Sequence, residues 1–161
     1  MNAPAAADAR ARGHELVITR LFDAPRELVW KVWTDPRHAV NWWGPRDYPM
    51  VQVEIDPRVG SAWRGCLRST TDGSELWQGG IMREIDPPRR LVFTFAWDDK
   101  DALGPETVVT LTFSEENGKT RMRMHQAPFH SLENRDGHVY GWTSTFDRLE
   151  DYLALVKDGP A

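Results

Sequence analysis

Val40-Asn41-Trp42-Trp43-Gly44-Pro45 divides the chain into two kinds of sequence. Two adjacent indoles in front of a Gly-Pro break must cap an apolar interior, because so much aromatic area is rarely left in water. The residue before a proline avoids the α region, so a helical segment ends here. Upstream of the break the apolar residues recur at helical spacing. Downstream, after Pro49, they alternate as strands do until Gln126, and only then does a helical pattern return, with Gly141-Trp142 near its head.

Working back from the break, Thr34-Asp35-Pro36 caps a short helix that ends at Trp43-Gly44-Pro45. Before it, Asp23-Ala24-Pro25 opens another, with Asp23 as N-cap, Pro25 in the first turn, and Val29, Val32 and Trp33 at helical spacing. Residues 14–22 alternate as a strand with Leu16, Ile18 and Leu21 on the buried side.

Working forward, residues 50–56, 62–69, 75–85, 90–97, 106–114 and 119–126 read as strands of an antiparallel meander. Turn signals separate them at Asp56-Pro57-Arg58-Val59-Gly60, Thr71-Asp72-Gly73-Ser74, Asp86-Pro87-Pro88 and Glu116-Asn117-Gly118. Parity places Leu91, Phe93, Phe95 and Trp97 on one face with Val109, Leu111, Phe113, Met122 and Met124, and puts Thr94, Thr110, Thr112, Arg121 and Arg123 on the other. Residues 137–157 form a long helix striped by Trp142, Phe146, Leu149, Leu153 and Val156. A sheet with one apolar face needs a cover, and this helix is the only element long enough. The fold class is therefore α+β, a curled antiparallel sheet of about seven strands around a long C-terminal helix, with two short helices after the first strand.

At 161 residues the chain fits one domain over residues 14–157, large enough to withdraw roughly 70% of its unfolded surface from water. The Ala-rich residues 1–13 read as a disordered leader and residues 158–161 as a tail; the leader lacks the continuous apolar run of a signal peptide. Twenty basic against 24 acidic residues give a net charge of −4, which argues against nucleic acid and anionic membrane as partners. No run approaches the about 18 apolar residues of a membrane span. The single Cys66 excludes an internal disulfide and suits a reducing cytoplasm.

Six motifs in order carry a resemblance. They are Phe22-Asp23-Ala24-Pro25 with Val29-Trp30, Trp42-Trp43-Gly44-Pro45, the Gly60 to Trp63 turn, and Gly80 followed by Ile85-Asp86-Pro87-Pro88-Arg89-Arg90-Leu91. The last two are Gly118-Lys119-Thr120 and the helix from Gly141-Trp142 to Leu149-Glu150. Together they resemble the bacterial homologues of the activator of the heat-shock chaperone ATPase (AHSA1-like), within the START-like, or SRPBCC, helix-grip superfamily. The resemblance spans nearly all of residues 14–157, and Ser61, where many relatives have a second glycine, departs from it. It implies a pocket between the curled sheet and the last helix, in a superfamily whose members bind lipids, sterols or polyketides and sometimes catalyse cyclisation. Fold by itself does not choose among these.

The residues agree that a cavity is expected, since eight Trp, six Phe and three Tyr pack poorly without gaps on elements that bend inward. Its walls are expected from Trp43, Trp63, Phe95, Trp97, Met122, Met124, Trp142 and Phe146, with Tyr48, Gln126, Arg64 or His125 to orient an apolar ligand. The sequence names no catalytic residue, metal site or cofactor. His125, His130 and His138 have no carboxylate at a matching offset. Cys66 lies on the parity of Arg64 and Arg68, a solvent-side or boundary thiol without a nearby His. Glu54, Asp56, Glu84 and Asp86 are explained by strand ends and turns. The expected function is thus binding of a hydrophobic small molecule. The alternatives are a chaperone-cofactor or interaction domain with a place in stress response, self-association included, and a polyketide cyclase-like enzyme.

Overall fold

In the computed structural model, which describes residues 7–12 and 14–157, the strand patterns become one curled antiparallel sheet. The chain runs β1 (Ala7–Arg12), β2 (Glu15–Phe22), α1 (Arg26–Thr34), α2 (Pro36–Ala39), β3 (Met50–Ile55), β4 (Ala62–Arg68), β5 (Glu75–Asp86) and β6 (Arg90–Trp97). It continues through α3 (Lys100–Leu103), β7 (Thr107–Glu116), β8 (Lys119–Ala127) and α4 (Leu132–Lys157). The eight strands lie in the order β1-β2-β8-β7-β6-β5-β4-β3. All seven expected strands form. The eighth, β1, corrects the disordered leader over its own span, because Ala7 to Arg12 pair with Arg20 to Glu15 of β2. The rest of the expected leader and the tail at 158–161 lie outside the described residues.

The concave face is apolar as parity predicts: Leu16, Ile18, Leu91, Phe93, Val109, Leu111, Met122 and Met124 are all at most 2% exposed. One position departs from the expected pattern. Arg20, not Leu21, points inward on β2, where its guanidinium donates to Asp147 at 3.0 Å and Glu150 at 3.2 Å on α4. The ion pairs offset the cost of drawing the charge inward and tie α4 to the sheet. Thr94 sits on the expected outer face yet is buried, because its hydroxyl accepts the Ile81 N–H at 2.8 Å. Gly80 permits that approach, since a Cβ there would stand 1.8 Å from the Thr94 carbonyl oxygen.

Local capping explains where the helices differ from expectation. Asp35 caps α2 as read, accepting the Arg37 N–H at 2.9 Å. Asp23 does not cap α1, whose N-cap is Pro25 with no side-chain bond; Asp23 instead meets Lys157 at 3.1 Å, and this bond holds its carboxyl below the usual range. Helix α4 starts before Gly137 because Ser131 Oγ accepts the Asn134 N–H at 3.0 Å, the N-cap bond that opens a helix. The extra turn α3 is capped in the same way by Asp99, which accepts from Ala102 at 3.0 Å.

Candidate functional site

Gly44 turns the chain after the two indoles. Its φ is +92°, and a Cβ would stand 2.4 Å from the Tyr48 carbonyl oxygen, so only glycine fits this left-handed turn. The turn folds Trp42 and Trp43 back under α4. Trp42 is fully buried and donates its Nε1–H to Val32 O at 3.0 Å. Trp43 stacks on it at 5.6 Å and reaches Trp63 at 5.2 Å and Trp142 at 5.9 Å. From α4, Arg148 clamps the turn, donating to the carbonyls of Asn41, Trp43 and Gly44 at 3.1, 2.9 and 2.8 Å. Burial, with Arg46 nearby, pulls the pKa of this arginine down from its usual value.

Between this turn and the first half of α4 the sheet is not fully covered. A cleft of about 350 Å³ remains. Trp43, Gly44, Pro45 and Tyr48 form one wall. Leu67, Leu76, Gln78, Phe95 and Trp97 of β4 to β6 form the floor, with Leu103 of α3 beside it. Gly137, His138, Gly141, Trp142 and Thr145 of α4 close the other side, and Asp47 and Glu133 stand among the lining residues as exposed carboxylates. Gly137 and Gly141 are separated by one helical turn, and a Cβ at either would meet nothing within 4 Å. At these two positions α4 carries glycine where a side chain would have room.

Of the eight side chains expected to line a cavity, Trp43, Phe95, Trp97 and Trp142 line this cleft. The other four do not. Met122, Met124 and Phe146 are fully buried in the core where α1 and α4 press on the sheet, with Phe146 packed on Trp33 at 6.1 Å. Trp63 donates to Thr94 O at 2.9 Å and borders only a void of about 10 Å³, which is about the size of one water.

The polar candidates also separate. Tyr48 lines the cleft. Gln126 lies behind its wall, accepting the Trp142 Nε1–H at 2.8 Å and donating to Thr107 Oγ1 at 2.8 Å; Thr107 in turn donates to Phe95 O at 3.3 Å. This chain of bonds fixes the Trp142 ring across three strands. Arg64 and His125 are on the outer face: Arg64 grips Asp98 at 2.6 and 2.9 Å and lies over the Trp77 ring at 4.7 Å, while His125 is 3.6 Å from Glu15. Gln78 was not anticipated. It is fully buried on the inner parity of β5, between Gly65 of β4 and Trp97 of β6, and neither amide atom has a hydrogen-bond partner. A glutamine between Leu76 and Met82 on the apolar parity was the available signal.

The chemistry of the remaining groups is restrained. His138 accepts from Trp97 Nε1 at 3.0 Å through Nε2, and its Nδ1 lies 2.8 Å from the Asn134 carbonyl. A carbonyl cannot donate, so Nδ1 carries the proton and the ring is neutral. Burial pushes its pKa down, with His130 adding to the effect. Cys66 lies on the outer parity as expected but is 1% exposed, flanked by Trp77 and the Arg68–Glu75 pair, and burial pushes its thiol up. A buried thiol of raised pKa is a poor nucleophile. Asp56, Glu84 and Asp86 hold Arg58, Arg90 and Arg89 at 2.6, 2.8 and 3.0 Å. Among the described residues no group of three His, Cys, Asp or Glu is placed to hold a metal ion, and no helix is long and apolar enough to cross a membrane.

Comparison with known proteins places this geometry. Residues 23–154 match the family described as Activator of Hsp90 ATPase homolog 1-like protein. The crystal structure titled as the AHSA1 protein from Silicibacter pomeroyi is 26% identical, with 88% of this chain and 98% of that one covered at a TM-score of 0.77. A Mycobacterium smegmatis protein is 25% identical, covering 96% and 98% at 0.77. A Chromobacterium violaceum protein, 23% identical over 91% and 99%, has a TM-score of 0.81 and shares the fold. No curated protein matches the chain significantly.

Proposed function

The chain belongs to the Activator of Hsp90 ATPase homolog 1-like family, and on that footing we propose that it holds an apolar, ring-bearing small molecule in the cleft beneath α4. One observation carries the reading: the cleft is walled by Trp43, Phe95, Trp97 and Trp142 and bordered by Gly137 and Gly141, where a Cβ would meet nothing within 4 Å. A glycine inside a helix costs roughly 0.5–1 kcal/mol against alanine. Helix α4 therefore forgoes stability at two positions that line the cleft. A largely apolar, preformed cleft of a few hundred Å³ is of the kind that takes a small ligand.

The test uses the indoles as reporters. Titration with sterols, fatty acids and flat aromatic polyketides is expected to shift the tryptophan emission saturably for at least one class. Its affinity should be micromolar, on the order of −8 kcal/mol. Gly141→Leu, which adds an isobutyl group at the cleft wall, should abolish that response while the protein still unfolds cooperatively. A panel without a binder, or binding unaffected by Gly141→Leu, overturns the reading in favour of an interaction domain.

A further inference from the structure

Gln78 is the one polar side chain of the cleft floor whose hydrogen-bonding groups have no protein partner. Its side chain is fully buried, each amide atom exposes less than 1 Å², and neither Nε2 nor Oε1 is bonded among the described residues. Three of its polar neighbours, by contrast, are engaged. His138 uses both ring nitrogens, Thr145 Oγ1 donates to Gly141 O at 2.8 Å, and Asn134 Nδ2 donates to Leu103 O at 3.0 Å. A buried amide with both its donor and its acceptor unmatched is an expensive thing to keep. Gln78 has three rotatable side-chain bonds and borders the cleft, so a modest turn presents the amide to a molecule lying on the floor.

The charge around the cleft narrows what that molecule can be. Asp47 and Glu133 are among its lining residues, and no lysine or arginine is. Salt screens such exposed charges over a length of about 8 Å at physiological ionic strength. An anionic ligand would meet them with no cation among the lining residues to receive it, and its own charge would have to leave water for aromatic walls. An amide edge, by contrast, offers N–H to Oε1 and C=O to Nε2, and the two bonds close a planar ring.

We infer that the molecule held in this cleft is uncharged and carries a neighbouring donor and acceptor, as a carboxamide, lactam or imide does, and that Gln78 reads this edge by a paired hydrogen bond. The inference rests on the cleft being a ligand site, and the experiment separates the two. Affinities of 2-naphthamide, 2-ethylnaphthalene and 2-naphthoate are measured by calorimetry on the wild-type protein, Gln78→Leu and Gln78→Met. In the wild type, naphthamide should bind about tenfold or more tightly than ethylnaphthalene, and naphthoate more weakly than naphthamide. In both variants the naphthamide-to-ethylnaphthalene ratio should fall to about one. The side-chain NH₂ resonances of Gln78 should move on addition of naphthamide. If ethylnaphthalene binds but naphthamide shows no preference, or the preference survives both substitutions, Gln78 is not the reader and the inference fails while the ligand site stands. If none of the three binds, both fail.

Discussion

Two glutamines face the concave side of the same sheet, both withdrawn from water, and they differ in everything that touches their amides. Gln126, on β8, lies where α4 presses against the sheet, and Trp142 and Thr107 engage its carbonyl and its NH₂. Gln78, on β5, lies where the helix stands away and the cleft remains, and its amide has no partner. In the closed half the Gln126 amide is used to fix the Trp142 ring. In the open half the fold tolerates an unpaired one. A closed core minimises such costs, whereas a site retains them until something binds.

The largest expected effect tests the seam where the closed half meets the cleft. Trp142→Ala removes a ring packed on Trp33, Trp43, Phe95 and Phe146, and denaturant titration should show a loss of roughly 3–5 kcal/mol. A loss below about 1 kcal/mol would mean that the ring is not packed at that seam. Next, Gln126→Leu strands the Trp142 indole N–H and removes the partner of Thr107, so it should destabilise by about 1–3 kcal/mol.

The sharpest contrast comes from the same substitution at the other site. Gln78→Leu removes two unmatched polar atoms without breaking a bond, so it should leave stability unchanged or raise it by about 1 kcal/mol. A loss comparable to that of Gln126→Leu would erase the distinction between the two halves. The smallest effect concerns His138. The unfolded chain takes up its proton near pH 6.5, while in the folded cleft wall burial lowers the pKa. The unfolded state therefore binds more protons in this range, and stability is full above about pH 6.5 and declines as the pH falls toward the folded value. His138→Gln, which keeps an acceptor for Trp97 and a donor for Asn134, should flatten that decline below about pH 6.5. An unchanged profile would show that His138 is not held neutral.

The features legible in advance were those written in the spacing of neighbours. Strand alternation gave β2 to β8 to within two residues at each end, because side chains point to opposite faces at every step. Capping by Asp35 and the turn at Gly44 followed from local backbone chemistry in the same way. Helix α4 starts at Leu132, five residues before the expected 137, and the glycines at 137 and 141 line a cleft that no local pattern announces. Parity put Trp63, Phe95, Met122 and Met124 on one face but could not tell which of them the helix would cover.

The chain's own order of residues determined the elements, the face each buries and the family, since these depend on periods of two and 3.6 residues and on turns a few residues long. Only the tertiary structure decided that Arg20 would reach Asp147 and Glu150, that Trp142 would find Gln126, and that Gln78 would be left bordering open space. Arg20 is separated from its partners by 127 and 130 positions, and its pairing depends on where α4 comes to rest across the curled sheet. The packing of the whole concave face sets that resting place, and no run of neighbours along the chain contains it.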